Sequence, residues 1–583
     1  MRCYIMSIIL TTLNSKYIHT NLAIRYLKAN APEFDITLRE YTLKDTLENI
    51  LEDLLSRKPK IIGFSVYIWN VEKTLQLIKL LKEKDPTLTI FMGGPEVSYD
   101  FDVWFSRSPI DYIIYGEGEL SFKELMEALH GRREVSEVRG IVYRNLVTNE
   151  PVQNPAAPIL DPKEILSPFY FEEDIPHLPN RIQYIETSRG CPYSCQYCLA
   201  SVDNKVRYFD MEKVKDEIRY LMKNGAKTFK FLDRTFNINK KYALEMFNFI
   251  IEEHLPGTQF QFEITADIMP TELIDYLNEH APAGLFRFEI GIQSTYELTN
   301  QLVKRRQNFD KLTTNILRIK EGEKIILHLD LIAGLPEEPY DRFEQSFNDV
   351  FDLRPEELQL GFLKMLRGTG LRKQANEFGY EYDEFAPYEM KRNNALSEED
   401  VHNIHLAEEI LERYWNAHRM DYTIAYLVDG PFKASPFAFM QQFGAYWENR
   451  YSWIKYQLSD LFIRLYDYLE SISYEELQTV LSYMKLDYLA QSKIKPKIWW
   501  EDRLNKQERR QIVNRLAEKS EKMIDLLKHH QINLPDMFKY AVVEPIYLDE
   551  TLKPTDELHY LIVVYLPNHP TYYYIIKEVI YID

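Results

Sequence analysis

The sequence predicts an α/β protein with a doubly wound parallel sheet, a partial parallel (β/α)6 barrel and a mainly helical C-terminal domain that ends in a β-hairpin. Strand and helix patterns alternate over residues 1–135 and again over 181–378. From 379 to 583 the pattern changes to long helices. A chain of 583 residues is too long for one hydrophobic core, so several domains are expected.

The composition places the chain among folded globular proteins, with 45% apolar and 27% charged residues. The net charge of −19 disfavours non-specific binding to nucleic acid or to anionic membranes. No run of apolar residues is long enough to span a membrane. The apolar run near the start is too short for a signal peptide, so we expect a cytoplasmic location.

The first 135 residues carry five strand patterns separated by helix patterns. Their alternation predicts a doubly wound, Rossmann-like sheet, in which ligands bind at the carboxyl ends of the strands. We expect Asp45 to cap the second helix. The predicted strands are 7–14, 34–42, 60–68, 89–94 and 111–119.

Residues 136–180 predict a linker, because several prolines favour extended backbone there. A second alternating series follows and predicts the partial barrel. In such barrels the reactive face lies at the carboxyl ends of the strands. The predicted strands are 183–188, 228–233, 259–265, 285–294, 326–336 and 358–366.

The C-terminal region, residues 379–583, is rich in aromatic residues at helical spacing, which predicts a packed core. The segment 493–500 places three lysines beside two tryptophans. We expect a solvated loop that covers a buried tryptophan pair, with nucleic-acid contact as the alternative. The chain ends in two predicted strands around a turn from Pro567 to Pro570.

Three of the four cysteines, Cys191, Cys195 and Cys198, lie within eight residues of each other. In a large chain of this kind, clustered cysteines bind metal or perform redox chemistry. A structural zinc site would lack its fourth ligand here, whereas three thiolates suit a [4Fe–4S] cluster with one open iron. The residues alone leave both centres open. Cys3 stands apart, and we expect it to be a buried, inert thiol.

The spacing CxxxCxxC, with Tyr197 before the last cysteine and after the first barrel strand, resembles the radical S-adenosylmethionine (SAM) superfamily. The resemblance implies that the three cysteines are the catalytic centre and hold a [4Fe–4S] cluster. It implies that the open iron binds SAM, which is cleaved to a 5′-deoxyadenosyl radical. It also implies an external electron donor such as flavodoxin or ferredoxin.

Segments further along the barrel resemble those that surround SAM in this superfamily. Glu263 faces the expected site, either as a site residue or in a barrel-lining ion pair. Taken singly, Glu289 could be a surface carboxylate and Gly334 a turn glycine. The residues that the resemblance assigns to SAM are Tyr197, Asp233, Glu289, Gln293, Ser294 and Gly334.

The N-terminal region resembles the cobalamin-binding domain of one branch of this superfamily. It departs from that domain's Asp-x-His-x-x-Gly motif, so we interpret His19 as a packing residue. Trp69 and Asn70 are further candidates beside the lower face of the corrin. A relic domain that binds a partner or another nucleotide is the alternative. The residues that the resemblance assigns to cobalamin are Ser65, Tyr67, Gly93, Gly94, Gly116, Glu117 and Gly118.

The resemblance extends to class B members of the superfamily that carry an uncharacterised C-terminal helical module. It implies methyl transfer to an unactivated carbon or to phosphorus. Oxidation, rearrangement or cyclisation without methyl transfer is the alternative among enzymes. A non-catalytic iron–sulfur or zinc sensor is the alternative from another class. The substrate stays open among proteins, nucleic-acid bases, lipids and small metabolites, and the acidic charge weighs slightly against nucleic acid.

Overall fold

The computed structural model describes residues 6–145, 147–492, 497–519, 521–530, 532–566 and 571–577. Cys3, Lys493, Lys495 and the turn between Pro567 and Pro570 lie outside the described residues. The chain divides into two compact units, Met1–Val401 and His402–Asp583. The first unit contains both predicted α/β regions, and the second contains the helical region. The predicted fold class is confirmed.

A seven-stranded sheet forms the core of the N-terminal region. Its order is β2-β1-β3-β4-β5-β6-β7, and the first five strands are parallel. β1 and β3 are buried along their whole length, as expected for a sheet covered on both faces. The strands are β1 (Ile8–Asn14), β2 (Ile36–Thr42), β3 (Ile61–Ser65), β4 (Thr89–Gly93), β5 (Tyr112–Ile114), β6 (Ile141–Arg144) and β7 (Pro151–Gln153).

The first five helices connect these strands. The predicted cap of α2 is wrong, because the Asp45 carboxylate accepts the Thr42 backbone N–H at 2.6 Å. Thr46 caps the helix instead, and its hydroxyl accepts the Asn49 N–H at 3.3 Å. The helices are α1 (Leu22–Ala29), α2 (Leu47–Ser56), α3 (Val71–Lys84), α4 (Phe101–Arg107) and α5 (Gly118–Leu129).

The first part of the predicted linker belongs to this sheet. β6 pairs antiparallel with β5, and β7 pairs antiparallel with β6. The Asn154 side chain, which is 6% exposed, donates hydrogen bonds to the Val135 and Val138 carbonyls and closes the end of the hairpin. The pairing satisfies backbone groups on one edge of the sheet, so only the residues after 154 run as a connection.

The barrel is a six-stranded parallel sheet in the order β15-β14-β13-β12-β11-β8, so all six predicted barrel strands are confirmed. A two-stranded antiparallel ribbon, β9 and β10, brackets the cysteine loop. The strands are β8 (Gln183–Ile185), β9 (Ser188–Arg189), β10 (Arg207–Tyr208), β11 (Thr228–Phe231), β12 (Gln259–Ile264), β13 (Phe286–Gln293), β14 (Ile326–Ala333) and β15 (Glu357–Phe362).

The outer face of the barrel strands packs against helices through an aromatic core. Phe229 stacks on Phe260 with ring centres 4.6 Å apart, and Phe231 stacks on Phe262 at 4.1 Å. Phe247 of α7 lies edge-on to Phe262 at 5.1 Å. The helices are α6 (Met211–Lys223), α7 (Lys240–Glu253), α8 (Thr271–His280), α9 (Glu297–Leu302), α10 (Phe309–Glu321), α11 (Tyr340–Phe351) and α12 (Gly370–Lys373).

The first unit ends beyond the predicted boundary at residue 378, because the chain returns to the edge of the barrel. β16 (Glu381–Tyr382) and β17 (Met390–Arg392) pair with each other. Met390 N–H donates to the Leu363 carbonyl at 3.0 Å, directly after β15. These residues therefore pack as part of the barrel.

The second unit is helical and closes with a three-stranded antiparallel sheet. The terminal hairpin, β19 with β20, is as predicted, and β18 is an additional strand. Trp447, Tyr414 and Phe443 are buried, so the aromatic stripe is core. The elements are α13 (Glu398–Ile410), which begins in the first unit, α14 (Asp421–Asp429), α15 (Pro436–Glu448), α16 (Leu458–Ser471), α17 (Leu477–Gln491), α18 (Lys506–Lys519), α19 (Glu521–His529), β18 (Ala541–Leu548), β19 (Pro554–Val564) and β20 (Tyr572–Ile576).

Within the described part of the chain, none of the helices has the length and apolar character required to cross a membrane.

Candidate active site

The cysteine loop follows β8 and β9 at the carboxyl edge of the barrel. Gly190 has a φ of +90°, and a Cβ there would lie 2.4 Å from the Lys205 carbonyl oxygen, so the loop requires glycine. Cys191 N–H donates to the Asp203 carbonyl at 2.9 Å. Gln196 N–H donates to the Val303 carbonyl at 2.9 Å, and the Gln196 carbonyl accepts Leu371 N–H at 2.8 Å. The backbone therefore fixes the loop from both sides.

The three cysteines are free thiols inside this loop. Cys191 and Cys195 are each 8% exposed, and Cys198 is partly exposed. Burial raises the pKa of the Cys191 thiol, and the nearby Cys198 and Cys195 sulfurs add to the rise, against a hydrogen bond from the Tyr193 backbone N–H. The three sulfurs are thus close enough to influence one another.

The two metal centres that the sequence left open would use these cysteines in different ways. Among the described residues, no three His, Cys, Asp or Glu side chains converge to hold one metal ion. Three thiolates on one zinc would each lie about 2.3 Å from it. A cubane cluster binds each thiolate through a different iron and holds the sulfurs further apart. The loop provides the three thiolates that such a cluster requires, two of them buried.

Arg305 links this loop to β13, a contact that no sequence motif indicates. Its guanidinium donates to the Tyr197 hydroxyl at 3.1 Å, to the Gly291 carbonyl and to the Gln307 side-chain carbonyl at 3.0 Å. Burial opposes the charge, but Tyr197 and the Cys195 thiolate outweigh it and raise the pKa of Arg305. A permanent cation therefore lies beside a cysteine of the loop.

The inner face of the barrel is polar. Alternation places Glu289, Gly291 and Gln293 on one side of β13, opposite the buried Phe288, Ile290 and Ile292. Lys230 donates to Glu289 at 2.9 Å, and Gln261 donates to the same carboxylate at 2.5 Å. On β14, His328 Nε2 lies 3.2 Å from Asp330 Oδ1, so these two partly buried side chains pair with each other. This face therefore offers polar groups to a bound molecule.

Two neighbouring carboxylates on this face have pKa values that are shifted in opposite directions. Glu263 and Glu289 are direct partners in the β12–β13 register. Burial raises the pKa of Glu263 to about 7, although Arg234, 3.7 Å away, opposes the rise. Burial acts on Glu289 too, but Lys230 outweighs it and lowers the pKa of Glu289. The pair can hold one exchangeable proton near neutral pH.

Gln293 has the geometry of a ligand-facing residue. Its φ is +71°, in the left-handed region, and the β13–β14 register shifts between Gly291 and Gln293. Its side-chain amide folds back over Gly291. The buried Oε1 atom of Gln293 has no hydrogen-bond partner among the described residues. An N–H or O–H group of a bound molecule would satisfy this acceptor, and contact between Gln293 and SAM stays a prediction.

Three other residues assigned to SAM have partners within the protein. Asp233 is 2% exposed and accepts hydrogen bonds from Thr187 N–H at 3.0 Å, the Thr187 hydroxyl at 2.7 Å and the Ser188 hydroxyl. Ser294 donates to the buried Glu338 at 2.7 Å. A Cβ on Gly334 would meet the Met390 side chain at 2.8 Å. The structure therefore assigns these three residues to support of the strands, and direct contact with SAM stays a prediction.

The carboxyl edge of the N-terminal sheet carries the residues predicted for cobalamin. Ser65 is buried, and its hydroxyl accepts the Asn21 side-chain N–H at 3.3 Å. Asn70 is fully buried and bonds to the Leu13 and Ser65 carbonyls, so it is part of the scaffold. Tyr67 stacks on Trp69 with ring centres 4.4 Å apart, and Trp69 is 48% exposed. This edge thus presents an exposed aromatic surface.

The glycines at this edge differ in what they permit. A Cβ on Gly94 would lie 2.5 Å from the Val66 carbonyl oxygen, and one on Gly118 would lie 3.1 Å from Leu27. Gly93 is less crowded, with its nearest contact at 3.5 Å. A Cβ on Gly116 would have nothing within 4 Å. Gly94 and Gly118 therefore serve packing, whereas Gly116 and Trp69 border open space, and their contact with a corrin stays a prediction.

The carboxyl edges of the two sheets meet within the first unit. Arg189 of β9 donates to Glu119 at 2.7 Å, and Arg207 of β10 pairs with Glu117. Glu117 is thus committed to a contact with the barrel. His19 follows β1 and hydrogen-bonds the Tyr184 hydroxyl of β8 at 2.7 Å, as expected for a packing residue.

A further contact joins the loop after β4 to the close of the barrel. Glu96 accepts the Tyr388 hydroxyl at 2.5 Å, and Arg367 pairs with Asp100 at 2.6 Å. Loops from three strands of the N-terminal sheet therefore face the barrel. The ion pairs of Arg189 and Arg207 hold the loop after β5 against the two strands that bracket the cysteine loop.

Three family models match the chain. The B12 binding domain model matches residues 8–126, and the Radical SAM superfamily model matches residues 185–350. A protein family of unknown function, DUF4080, matches residues 376–562. An uncharacterized methyltransferase of Pyrococcus horikoshii is 31% identical over 374 residues, which cover 61% of this chain and 78% of the relative. The chain belongs to the radical SAM superfamily.

It belongs to the branch with a B12-binding domain, and its cofactors are a [4Fe–4S] cluster, SAM and cobalamin. TokK of Streptomyces tokunonensis, a cobalamin-dependent radical SAM methyltransferase, is 26% identical over 315 residues, or 51% of this chain and 45% of TokK. The solved structure of OxsB with aqua-cobalamin shares the fold, with a TM-score of 0.60 and 17% identity. That match covers 83% of this chain and 80% of OxsB.

We expect Arg305→Met to lower the reduction potential of the cluster, because a cation beside a cysteine ligand favours the more negative, reduced state. A loss of about 1.4 kcal/mol in the electrostatic stabilisation of the reduced cluster corresponds to a shift of about 60 mV in its one-electron reduction potential. Iron retention should also fall, because the loop loses its link to β13. EPR-monitored redox titration and iron analysis measure both effects. Arg306→Met, at an exposed neighbouring position, is the matched control, and equal potentials in the two variants would refute the role.

We expect Glu263→Gln to remove a pH-dependent contribution to the free energy of unfolding. The unfolded carboxyl has a pKa of about 4.3, so the folded state binds the proton more tightly. Stability should therefore fall as pH rises from about 4.3 to 7 and then level off, by about 1–3 kcal/mol. Thermal unfolding across this pH range compares wild type with Glu263→Gln. Glu279→Gln, which is 79% exposed, should behave as wild type. An unchanged pH slope in Glu263→Gln would contradict the assignment.

Proposed function

We propose that this radical SAM enzyme is a cobalamin-dependent methyltransferase that acts on an unactivated carbon of its substrate. The contact between the carboxyl edges of the two sheets carries the proposal. Arg189 and Arg207, on the strands that bracket the cysteine loop, pair with Glu119 and Glu117, which follow β5. This contact brings the predicted cluster loop and the predicted cobalamin edge together in one compact unit. The two relatives described above carry methyltransferase names and support the proposal.

The site residues have distinct proposed roles. Cys191, Cys195 and Cys198 hold the cluster, and Arg305 holds the loop and balances its charge. Gln293 and Glu289 bind SAM from the inner face of β13, and Tyr197 is fixed beside them by Arg305. Ser65, Tyr67, Gly93 and the Gly116 loop line the cobalamin edge. When bound, the cluster with SAM supplies a carbon radical that removes a substrate hydrogen, and cobalamin supplies the methyl group.

The protein's own groups control protons and water at this site. Glu263 retains its proton up to about pH 7, whereas Lys230 keeps Glu289 ionised. A protonated carboxyl beside an ionised one can donate and accept within one site without an external base. The aromatic outer face of the strands isolates these charges from solvent on the helix side.

We further propose that an external one-electron donor such as flavodoxin or ferredoxin reduces the cluster. A reducing cytoplasm suits this chemistry, because the three cysteines must remain thiolates rather than form disulfides. The inner barrel face carries charges of both signs, which favours a polar substrate over a hydrocarbon.

The test is anaerobic reconstitution of the full chain with iron, sulfide and hydroxocobalamin, followed by incubation with SAM labelled on its methyl group. We expect a four-iron cluster, a bound corrin, 5′-deoxyadenosine and transfer of label to a substrate in a cell extract. Cys195→Ala should lose cluster and SAM cleavage. Cys3→Ala, at the cysteine outside the loop, is the matched control and should retain both.

The outcomes separate the alternatives. Cleavage of SAM without cobalamin-dependent label transfer would support oxidation, rearrangement or cyclisation instead of methylation. A folded chain with a full cluster that neither cleaves SAM nor binds corrin would contradict the proposal.

A further inference from the structure

Positive charge is concentrated in three short segments at the cysteine loop, although the chain as a whole has 89 acidic and 70 basic residues. The segments are residues 199–206, 303–307 and 370–374. Asp203 is their one carboxylate. Their lysines and arginines are Lys205, Lys304, Arg305, Arg306, Arg372 and Lys373.

Gln196 of the cysteine loop is in backbone contact with two of these segments. Its N–H donates to the Val303 carbonyl at 2.9 Å, and its carbonyl accepts the Leu371 N–H at 2.8 Å. Lys304 is the residue after Val303, and Lys373 is two residues after Leu371. Both lysines are exposed. They therefore present positive charge to solvent close to Gln196, which follows the predicted cluster ligand at position 195.

The other end of the cysteine loop adds a third exposed cation. A Cβ on Gly190 would lie 2.4 Å from the Lys205 carbonyl oxygen, so Lys205 passes directly beside the residue before Cys191. The Lys205 side chain is exposed. Asp203 pairs with Arg207 at 2.9 Å. The one carboxylate of the three segments is therefore already bound to a cation outside them.

The six cations of these segments fall into two groups. Arg305 donates to the Tyr197 hydroxyl, and Arg372 donates to the Met365 carbonyl, so both are used within the protein. The other four are exposed, and none of them pairs with a carboxylate in the described part of the chain. We call these four residues the basic rim: Lys205, Lys304, Arg306 and Lys373.

The position of the basic rim suits electron entry. One backbone hydrogen bond, from Gln196 to Val303, separates the residue after Cys195 from the residue before Lys304. An exposed patch of one sign steers a partner of the opposite sign and orients it on contact. Proteins that hold nucleic acid through its backbone contact about 6–10 phosphates. Four exposed cations on a chain with a net charge of −19 fit a small acidic protein better than a nucleic acid.

We propose that the basic rim is the docking surface for a small acidic protein that carries one electron. The carrier loses one electron and the cluster gains it, and no covalent bond forms or breaks. This inference rests on the proposed function, because it requires a cluster in the cysteine loop. It adds the place at which the electron enters and the charge of the partner.

The test compares two reductants on the reconstituted full chain by stopped-flow absorbance. Reduced flavodoxin is the acidic protein probe, and reduced methyl viologen is a small cation that has no need of the rim. We expect Lys304→Glu to slow reduction by flavodoxin at least tenfold at low ionic strength and to leave reduction by methyl viologen unchanged. Added salt should slow flavodoxin with the wild type, because salt screens exposed charges. Lys79→Glu makes the same charge change at an exposed lysine of α3 and should behave as wild type.

Lys373→Glu is a second variant in case Lys304→Glu does not fold, and we expect it to slow flavodoxin in the same way. Equal flavodoxin rates in wild type and both variants would overturn the proposal. So would a wild-type rate that does not depend on salt, or equal slowing with both reductants. RNA binding that the two substitutions weaken, with unchanged flavodoxin rates, would assign the rim to nucleic acid and overturn it too.

The two reductants also separate this proposal from the proposed function. If methyl viologen supports SAM cleavage and flavodoxin does not reduce the cluster, the docking proposal alone fails. If methyl viologen reduces the cluster and SAM is not cleaved, the proposed function fails.

Discussion

The ion pairs of Arg189 and Arg207 are the constraint on which the site depends. Arg189 lies directly before Gly190 of the cysteine loop and bonds Glu186 and Glu119, with 11% of its side chain exposed. Arg207 bonds Asp203 at the other end of the loop and Glu117 across the interface. Removing one partner of such a buried pair costs about 3–5 kcal/mol, because the other charge is left without a partner. The cysteine loop and the loop after β5 therefore hold a fixed relation to each other.

The placement of charged side chains also determines the arrangement of the barrel interior. Its outer face is buried and apolar, with aromatic side chains on β11 and β12, and the charged residues of β11 to β14 lie on the inner face. Lys230 pairs with Glu289 there, and burial raises the pKa of Glu263 to about 7. The side-chain carbonyl of Gln293 has no hydrogen-bond partner in the described part of the chain. If all polar side chains of this face were paired with each other, the interior would be stable but would have no group available to bind a ligand. The unfilled positions are the ones that a cofactor or substrate can occupy.

The sequence predicts features that depend on local pattern. The five N-terminal strands, the six barrel strands and the cysteine loop all follow from periodicity and spacing within short segments. Features that depend on contacts between distant parts of the chain are not predicted by the sequence. β6 and β7 join the sheet through partners that hydropathy does not reveal, and β18 contains Pro545 within a strand. Asp233 is held by Thr187, 46 residues earlier in the chain, and its type and position alone do not show this support of the strands. The hydrogen bond between Arg305 and Tyr197 joins residues that are 108 positions apart, and no sequence motif indicates it.

We propose that one compact unit holds the cluster and cobalamin side by side. EPR of the chain loaded with both the reduced cluster and paramagnetic Co(II) cobalamin tests it most directly. Each centre alone should give its own spectrum. In the doubly loaded chain we expect mutual broadening or splitting through magnetic coupling, which weakens when Arg189→Met loosens the interface. A doubly loaded chain whose spectrum is the plain sum of the two separate spectra would contradict the account.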